Sequence, residues 1–255
     1  MSLQVEKLTI KRQAKTIVNE VSLRVVDKQF VGIIGPNGCG KSTLLKGVAG
    51  ILPCEAEVMQ LDELNLMSTK TKKTAQHLSV VGQFNEVNFD LKVEDMVLLG
   101  RTPYKKLMEG NTKEDQNYVD EALEKTELTE YRHRNFLSLS GGEKQRVIIA
   151  RALCQQTDYM ILDEPTNHLD VNYQLSLLSE LKKIECGILT ALHSLETAAQ
   201  YCDYIYAMKD GEIVAEGPPE VVLTETIVSE LFDVPCHIYR NPIDQGLNFY
   251  FKLEE

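Results

Sequence analysis

Gly35-Pro36-Asn37-Gly38-Cys39-Gly40 runs directly into Lys41, Ser42 and Thr43, a combination suited to gripping a polyphosphate. Glycines let the backbone curl so that successive amides point inward at phosphate oxygens, and the helix that follows adds its positive end. Lys41 would reach the terminal phosphates, and Ser42 would ligate a phosphate-bound Mg2+. A second chemical centre is the pair Asp163-Glu164, which closes the apolar run Tyr159-Met-Ile-Leu162. A carboxylate emerging at the end of such a strand can hold that metal through water. His193 ends the next apolar run, where a side chain could touch a terminal phosphate and help hold a water. Leu139-Ser140-Gly141-Gly142-Glu143 carries a capping box, with Ser140 as N-cap and Glu143 as its partner. A capped helix does not need two glycines. Gly141 and Gly142 would let a backbone approach a phosphate, making a second anion site.

These residues need strands that end together and helices that begin there. Residues 3–10 and 21–26 alternate as strands, and Phe30–Ile34 is a buried-type strand feeding the glycine loop. Helical spacing follows over 41–50, with Gly50 placed to end it. A strand over 58–61, a basic helix over 68–77 and a strand over 78–81 lead to Gln83. From about 84 to 156 strand runs vanish, and helical spacing as in 93–99 and 118–126 marks an inserted helical subdomain. Strands over 159–162 and 188–192 then alternate with helices near 171–184 and 195–201. A hairpin at Lys209-Asp-Gly-Glu212 joins strands 204–208 and 213–215. A helix and a short strand-like end complete the tail. Strands alternating with helices imply a mostly parallel sheet with ligands at the strand C-terminal ends.

With 255 residues, 43% hydrophobic, the chain can bury a large core as one domain with a subdomain. A net charge of -11 argues against a nucleic-acid surface. No apolar run approaches the roughly 20 residues that span a bilayer, and no signal peptide is evident, so a membrane role would come through a partner. Six scattered cysteines without a Cys-x-x-Cys pair fit reduced thiols in a cytosol.

The order of these motifs, with Leu139–Glu143 between the glycine loop and the paired acids, resembles the ATP-binding cassette ATPases of ABC transporters along nearly the whole chain. The resemblance implies an α/β, P-loop NTPase (RecA-like) core with an N-terminal antiparallel β subdomain and an inserted α-helical subdomain. The expected division is core over 1–83 and 157–225, helical signature subdomain over 84–156, and tail over 226–255. It implies ATP and Mg2+ as ligands, with Gly35 through Thr43 around the phosphates and Ser42, Gln83 and Asp163 at the metal. Glu164 would be the general base, assisted by His193 and Lys41. Ser140, Gly141, Gly142 and Asp170 would face the ATP of a second copy in a head-to-tail homodimer.

Three features depart from the pattern or leave a choice open. Arg12 stands near where relatives place an aromatic residue against adenine. Either its guanidinium stacks on the base, or the base is held loosely by a neighbouring side chain or not at all, and weaker discrimination among nucleotides is expected. Ser194 stands where many relatives carry an acid. Cys39 either has a thiol pKa depressed by the adjoining helix or simply supplies a small side chain.

About 100 residues separate Lys41 from Ser140, which excludes the long coiled-coil inserts of chromosome-maintenance relatives. Val93-Glu-Asp-Met-Val-Leu-Leu-Gly-Arg-Thr-Pro-Tyr104 resembles the segment of iron–siderophore, haem and cobalamin importers. The implied setting is the inner face of the cell membrane, under a separate permease served by an extracytoplasmic binding protein. Phe84, Phe89 and Tyr104 either line a groove for the permease or pack in the core. An iron–sulfur assembly ATPase is the alternative reading.

Overall fold

The computed structural model describes residues 1–82, 90–106, 109–167 and 169–252. Gln83, Phe84 and Phe89 thus lie outside the described residues, as does His168. In chain order the elements are β1 (Ser2–Arg12), β2 (Lys15–Val26), β3 (Phe30–Ile34), α1 (Lys41–Val48), β4 (Val58–Leu61) and β5 (Leu64–Asn65). Then come α2 (Thr71–Thr74), β6 (Leu78–Val81), α3 (Val93–Leu98), α4 (Lys113–Lys125), α5 (Gly141–Cys154), β7 (Tyr159–Asp163) and α6 (Val171–Lys183). The chain closes with β8 (Gly187–Ala191), α7 (Leu195–Tyr201), β9 (Tyr204–Lys209), β10 (Glu212–Gly217), α8 (Pro219–Val222), α9 (Glu225–Phe232), β11 (Cys236–Arg240) and β12 (Leu247–Phe251). These elements fall into two compact units, one of Met1–Ser68 with Gly187–Glu255 and one of Thr69–Cys186.

In the first unit an antiparallel sheet runs in the order β2-β1-β4-β5. Leu3, Val5, Leu8 and Ile10 of β1 are buried, and the break in alternation after Val5 coincides with a register shift against β2. Beside that sheet stand strands in the order β10-β9-β3-β8, with β3 parallel to both β8 and β9. Every residue of β3 and β8 is buried, the reason each reads as an unbroken apolar run rather than an alternating one. Leu44, Leu45 and Val48 are the buried side of α1. Its Gly47 packs so closely that a Cβ there would come within 2.4 Å of Ile10. The helix stops at Ala49, and Gly50 follows at φ 69°, the left-handed residue that commonly ends a helix.

The second unit pairs β6 with β7 in parallel and packs α3, α4 and α5 against one another. Met96, Val97, Val119, Leu123, Val147 and Ile149 are almost wholly buried there, each contributing roughly 2 kcal/mol by removal from water. Thr112 caps α4 through a reciprocal bond with Asp115, and Ser140 caps α5 in the same way with Glu143.

Three expectations change. The basic helix expected over 68–77 is confined to Thr71–Thr74, none of whose residues is buried; without an apolar face a longer helix has nothing to pack. The second strand begins at Lys15 instead of Val21, because it completes a tight hairpin with the end of β1. The tail is richer than one helix and a strand-like end. It holds α8, α9 and an antiparallel hairpin of β11 with β12, anchored by an edge-on contact of Phe232 with Phe251 at 5.9 Å.

Candidate functional site

The phosphate-loop residues are set by backbone shape. Gly35, Gly38 and Gly40 have φ of 152°, 80° and 113°. At Gly35 a Cβ would lie 2.0 Å from the Met208 carbonyl oxygen, so nothing but glycine fits. Gly40 is the residue before α1, and no side chain caps the helix there, a helix start of the kind that can face an anion. Lys41 is 5% exposed and donates from Nζ to the carbonyls of Gly35 at 2.7 Å and Pro36 at 3.0 Å. Its charge is thereby held over the loop it follows. Ser42 and Thr43, in the first turn of α1, are half-buried. Pro36 is half-buried as well, whereas Asn37 and Gly38 are exposed.

Sequence reasoning missed one support of this loop. The Asp210-Gly211 turn between β9 and β10 has φ of 49° and 89°, the pattern of a tight hairpin turn. Gly211 N–H donates to the Cys39 carbonyl at 2.9 Å, and the Gly211 carbonyl accepts from Asn19 N–H at 2.9 Å. The Asp-Gly dipeptide signals the hairpin; only the fold shows that the hairpin buttresses the loop.

Cys39 overturns the expectation of a lowered thiol pKa. It is 5% exposed, and burial pushes its thiol up, against the opposing pull of the Lys41 ammonium 4.0 Å from Sγ. In the same unit His193 follows β8 and is exposed. Ser194 is the N-cap of α7, its hydroxyl accepting from Thr197 N–H at 2.9 Å, which gives this position a local structural task. Arg12 is exposed at the far end of β1, paired with Lys15 across the turn.

In the second unit Asp163 ends β7 at 2% exposure, and Glu164 follows at 6%. Glu164 has φ 54°, a left-handed backbone that is uncommon away from glycine and concentrates at functional turns. Its carboxylate Oε2 accepts from Asn167 Nδ2 at 2.5 Å, so its direction is fixed within its own turn. Gln145 of α5 donates to the Pro165 carbonyl at 3.3 Å, tying the signature helix to that turn. Asp170 caps α6 by accepting from Tyr173 N–H at 3.2 Å.

Ser140, Gly141 and Gly142 come together with Asp170 and Tyr173 around a cavity of about 640 Å³. A Cβ on Gly141 would meet nothing within 4 Å, so this fold does not itself demand glycine there. The Ser140 amide donates to the Glu143 carboxylate at 2.7 Å and holds that carboxyl below its ordinary value. Arg146 is 4% exposed, lies 3.9 Å over the Tyr173 ring and donates from Nη1 to the Thr126 and Glu127 carbonyls at 3.1 Å each. Its role was not visible as more than the continuation of the signature.

No cluster of three or more His, Cys, Asp or Glu side chains is placed for a metal among the described residues. The Ser42 hydroxyl and the Asp163 carboxylate are nonetheless hard oxygen donors, the kind Mg2+ accepts alongside phosphate and water. Among the described residues no helix is long and apolar enough to cross a membrane.

Residues 18–167 match the family model described as ABC transporter. The petrobactin import ATP-binding protein FpuD of Bacillus anthracis is 36% identical over 246 residues, covering 95% of this chain and 90% of that protein. The ferric enterobactin transport ATP-binding protein FepC of Escherichia coli (strain K12) is 34% identical, covering 94% and 90%. Among solved structures, a metal-chelate type ABC transporter in an inward-facing conformation superposes with a TM-score of 0.81 at 26% identity, covering 98% of this chain and 96% of that one. The architecture is therefore a P-loop NTPase core with an N-terminal β subdomain and a helical subdomain. The chain belongs to the ABC transporter family as an ATP-binding and ATP-hydrolysing importer subunit, related to the subunits that serve siderophores and metal chelates.

Proposed function

We propose that two copies of this chain close head to tail on two ATP molecules and thereby drive a separate membrane permease. The cargo in this reading is an iron–siderophore, haem or cobalamin-type chelate, delivered by an extracytoplasmic binding protein. The ATPase then works at the inner face of the cell membrane. The observation that carries the reading is the open space at Gly141 beside the amides that begin α5. Glycine kept where the chain's own packing tolerates a side chain points to an approaching ligand, and a phosphate suits a helix N-terminus.

The residues then divide the work. Amides of 35–43 and the Lys41 ammonium hold the phosphates, and the Arg12 guanidinium is a candidate to stack on the base. Ser42, Asp163 and Gln83 would hold Mg2+, which when bound offsets charge on the phosphate oxygens. Glu164, aimed by Asn167, takes a proton from the water as its oxygen bonds to the γ-phosphorus. The bond from that phosphorus to the bridging oxygen breaks, leaving ADP and phosphate. His193 steadies the water and the terminal phosphate. Ser140, Gly141, Gly142 and Asp170 of the second copy complete the site. The siderophore relatives favour the importer over an assembly ATPase.

Light scattering of wild type and Glu164→Gln with ATP tests the scheme. The expected result is an ATP-stable dimer of the variant, with turnover lowered by about 10²–10⁴-fold, the usual range for a lost general base. Undiminished hydrolysis would remove Glu164 from its role. A variant that binds ATP yet stays monomeric would sink the sandwich.

A further inference from the structure

Arg101 is an arginine that sequence reasoning passed over, and it is only 8% exposed. It sits in the 3₁₀ turn Leu99–Tyr104, within the importer-type segment that ends at Tyr104. Its Nη1 donates to the Cys154 and Gln155 carbonyls at 3.1 Å each, the last residue of α5 and the one after it. A cation bonded to the final carbonyls of a helix also meets the negative end of its dipole. Nε donates to Asp115 Oδ1 at 3.1 Å, and the guanidinium lies over the rings of Tyr104 at 4.2 Å and Tyr118 at 4.4 Å.

The neighbouring atoms tie the same turn and the end of α5 to each other and to the residues leading into β6. At Gly100 a Cβ would lie 2.3 Å from the Arg151 carbonyl oxygen, so the segment's backbone rests directly on α5. The Tyr104 hydroxyl donates to Gln76 at 2.9 Å and Gln156 at 3.3 Å. Gln155 Nε2 donates to the Ala75 and Leu78 carbonyls, at 2.5 and 3.2 Å, at the start of β6. One end of α5 thus carries this knot, and the other carries Ser140, Gly141 and Gly142.

We propose that Arg101 is a positioning residue, fastening the segment Val93–Tyr104 to the C-terminal end of α5 so that the segment sets where the signature amides stand. The inference rests on the shared-site reading above. A helix transmits a shift at one end to the other with little loss, and a misplacement near 1 Å is enough to spoil a phosphate contact. Lysine cannot substitute, because a point charge neither lies flat over two rings nor donates to several acceptors from one plane.

The test uses the full chain carrying Glu164→Gln, with Arg101→Lys, Arg101→Ala or Tyr104→Phe added. ATP affinity of the monomer is read by a fluorescent nucleotide, dimerisation by light scattering, and folding by thermal unfolding, at a temperature where each variant is folded. Arg101→Lys and Tyr104→Phe should bind ATP as the parent does. Arg101→Lys should need about tenfold more protein to dimerise, the scale of one lost charge-assisted hydrogen bond. Tyr104→Phe should show a smaller loss in the same direction. If Arg101→Lys only lowers the unfolding temperature and dimerises like the parent, Arg101 is merely structural and the proposal is overturned. A parent that itself fails to dimerise would instead count against the sandwich.

Discussion

The Cys39 thiol has a lysine ammonium 4.0 Å away and a helix beginning two residues on, yet its pKa is raised. Burial dominates, because the side chain is closed in by its own loop, with Sγ 3.0 Å from where a Cβ on Gly35 would stand. At neutral pH the group is therefore a protonated thiol. Iodoacetamide at pH 7.5 followed by peptide mass mapping should label Cys54, which is half-buried, well before Cys39. Cys39 should react only once denaturant opens the loop. Rapid labelling of Cys39 in the folded chain would show that the lysine and the helix outweigh burial after all. The same residue shows a limit of reading sequence. Position beside a lysine is written in the chain, whereas the depth that decides the sign of the shift is not.

At the scale of elements, α4 is held to the Arg101 turn through one carboxylate. Asp115 accepts from Thr112 in the capping box and faces Arg101 at 3.1 Å and Lys105 at 3.3 Å. Burial works to raise its pKa, but the Thr112 amide and hydroxyl and the two cations outweigh it, holding the carboxyl at about 2. A lowered folded-state pKa stabilises above the unfolded value and is lost as pH falls through the folded one. Asp115 should therefore contribute up to about 2 kcal/mol near neutrality, lost between about pH 4 and pH 2. Urea midpoints measured across that window should fall more steeply for wild type than for Asp115→Asn. Parallel curves would mean the carboxylate is not coupled to folding.

Elements were legible where burial writes itself as composition. The strands β3, β7 and β8 are buried throughout, and their apolar runs mark them in the sequence to within a residue or two. The capping box at Ser140 is legible for a different reason, since its two partners lie only three residues apart. The β11–β12 hairpin was missed because Cys236–Arg240 mixes buried and exposed residues and its partner strand begins seven residues later. Arg101 is invisible in the sequence for a different reason: its partners lie in its own turn, on α4 and at the end of α5, and only folding brings them to one guanidinium.

At the scale of the whole molecule, the proposed sandwich would give each copy two half-sites. The phosphate loop and His193 belong to one compact unit, and the signature with Asp170 belongs to the other. In the proposed sandwich the loop of each copy meets the signature of its partner, so two different defects should complement one another. Lys41→Ala removes the phosphate cation but leaves the signature intact. Gly141→Asp does the reverse: its side chain enters open space, and an acid in the first turn of α5 suits the helix while repelling a phosphate. Each variant alone should hydrolyse ATP at a small fraction of the wild-type rate. Mixed in equal amounts they should recover about one quarter of the wild-type sites, because half the dimers are mixed and each of these holds one good loop facing one good signature. A chain that built its complete site within a single copy would gain nothing from mixing. Steady-state ATPase of the mixture against the separate variants decides between these, and recovery that rises with protein concentration would tie the regained activity to the dimer itself.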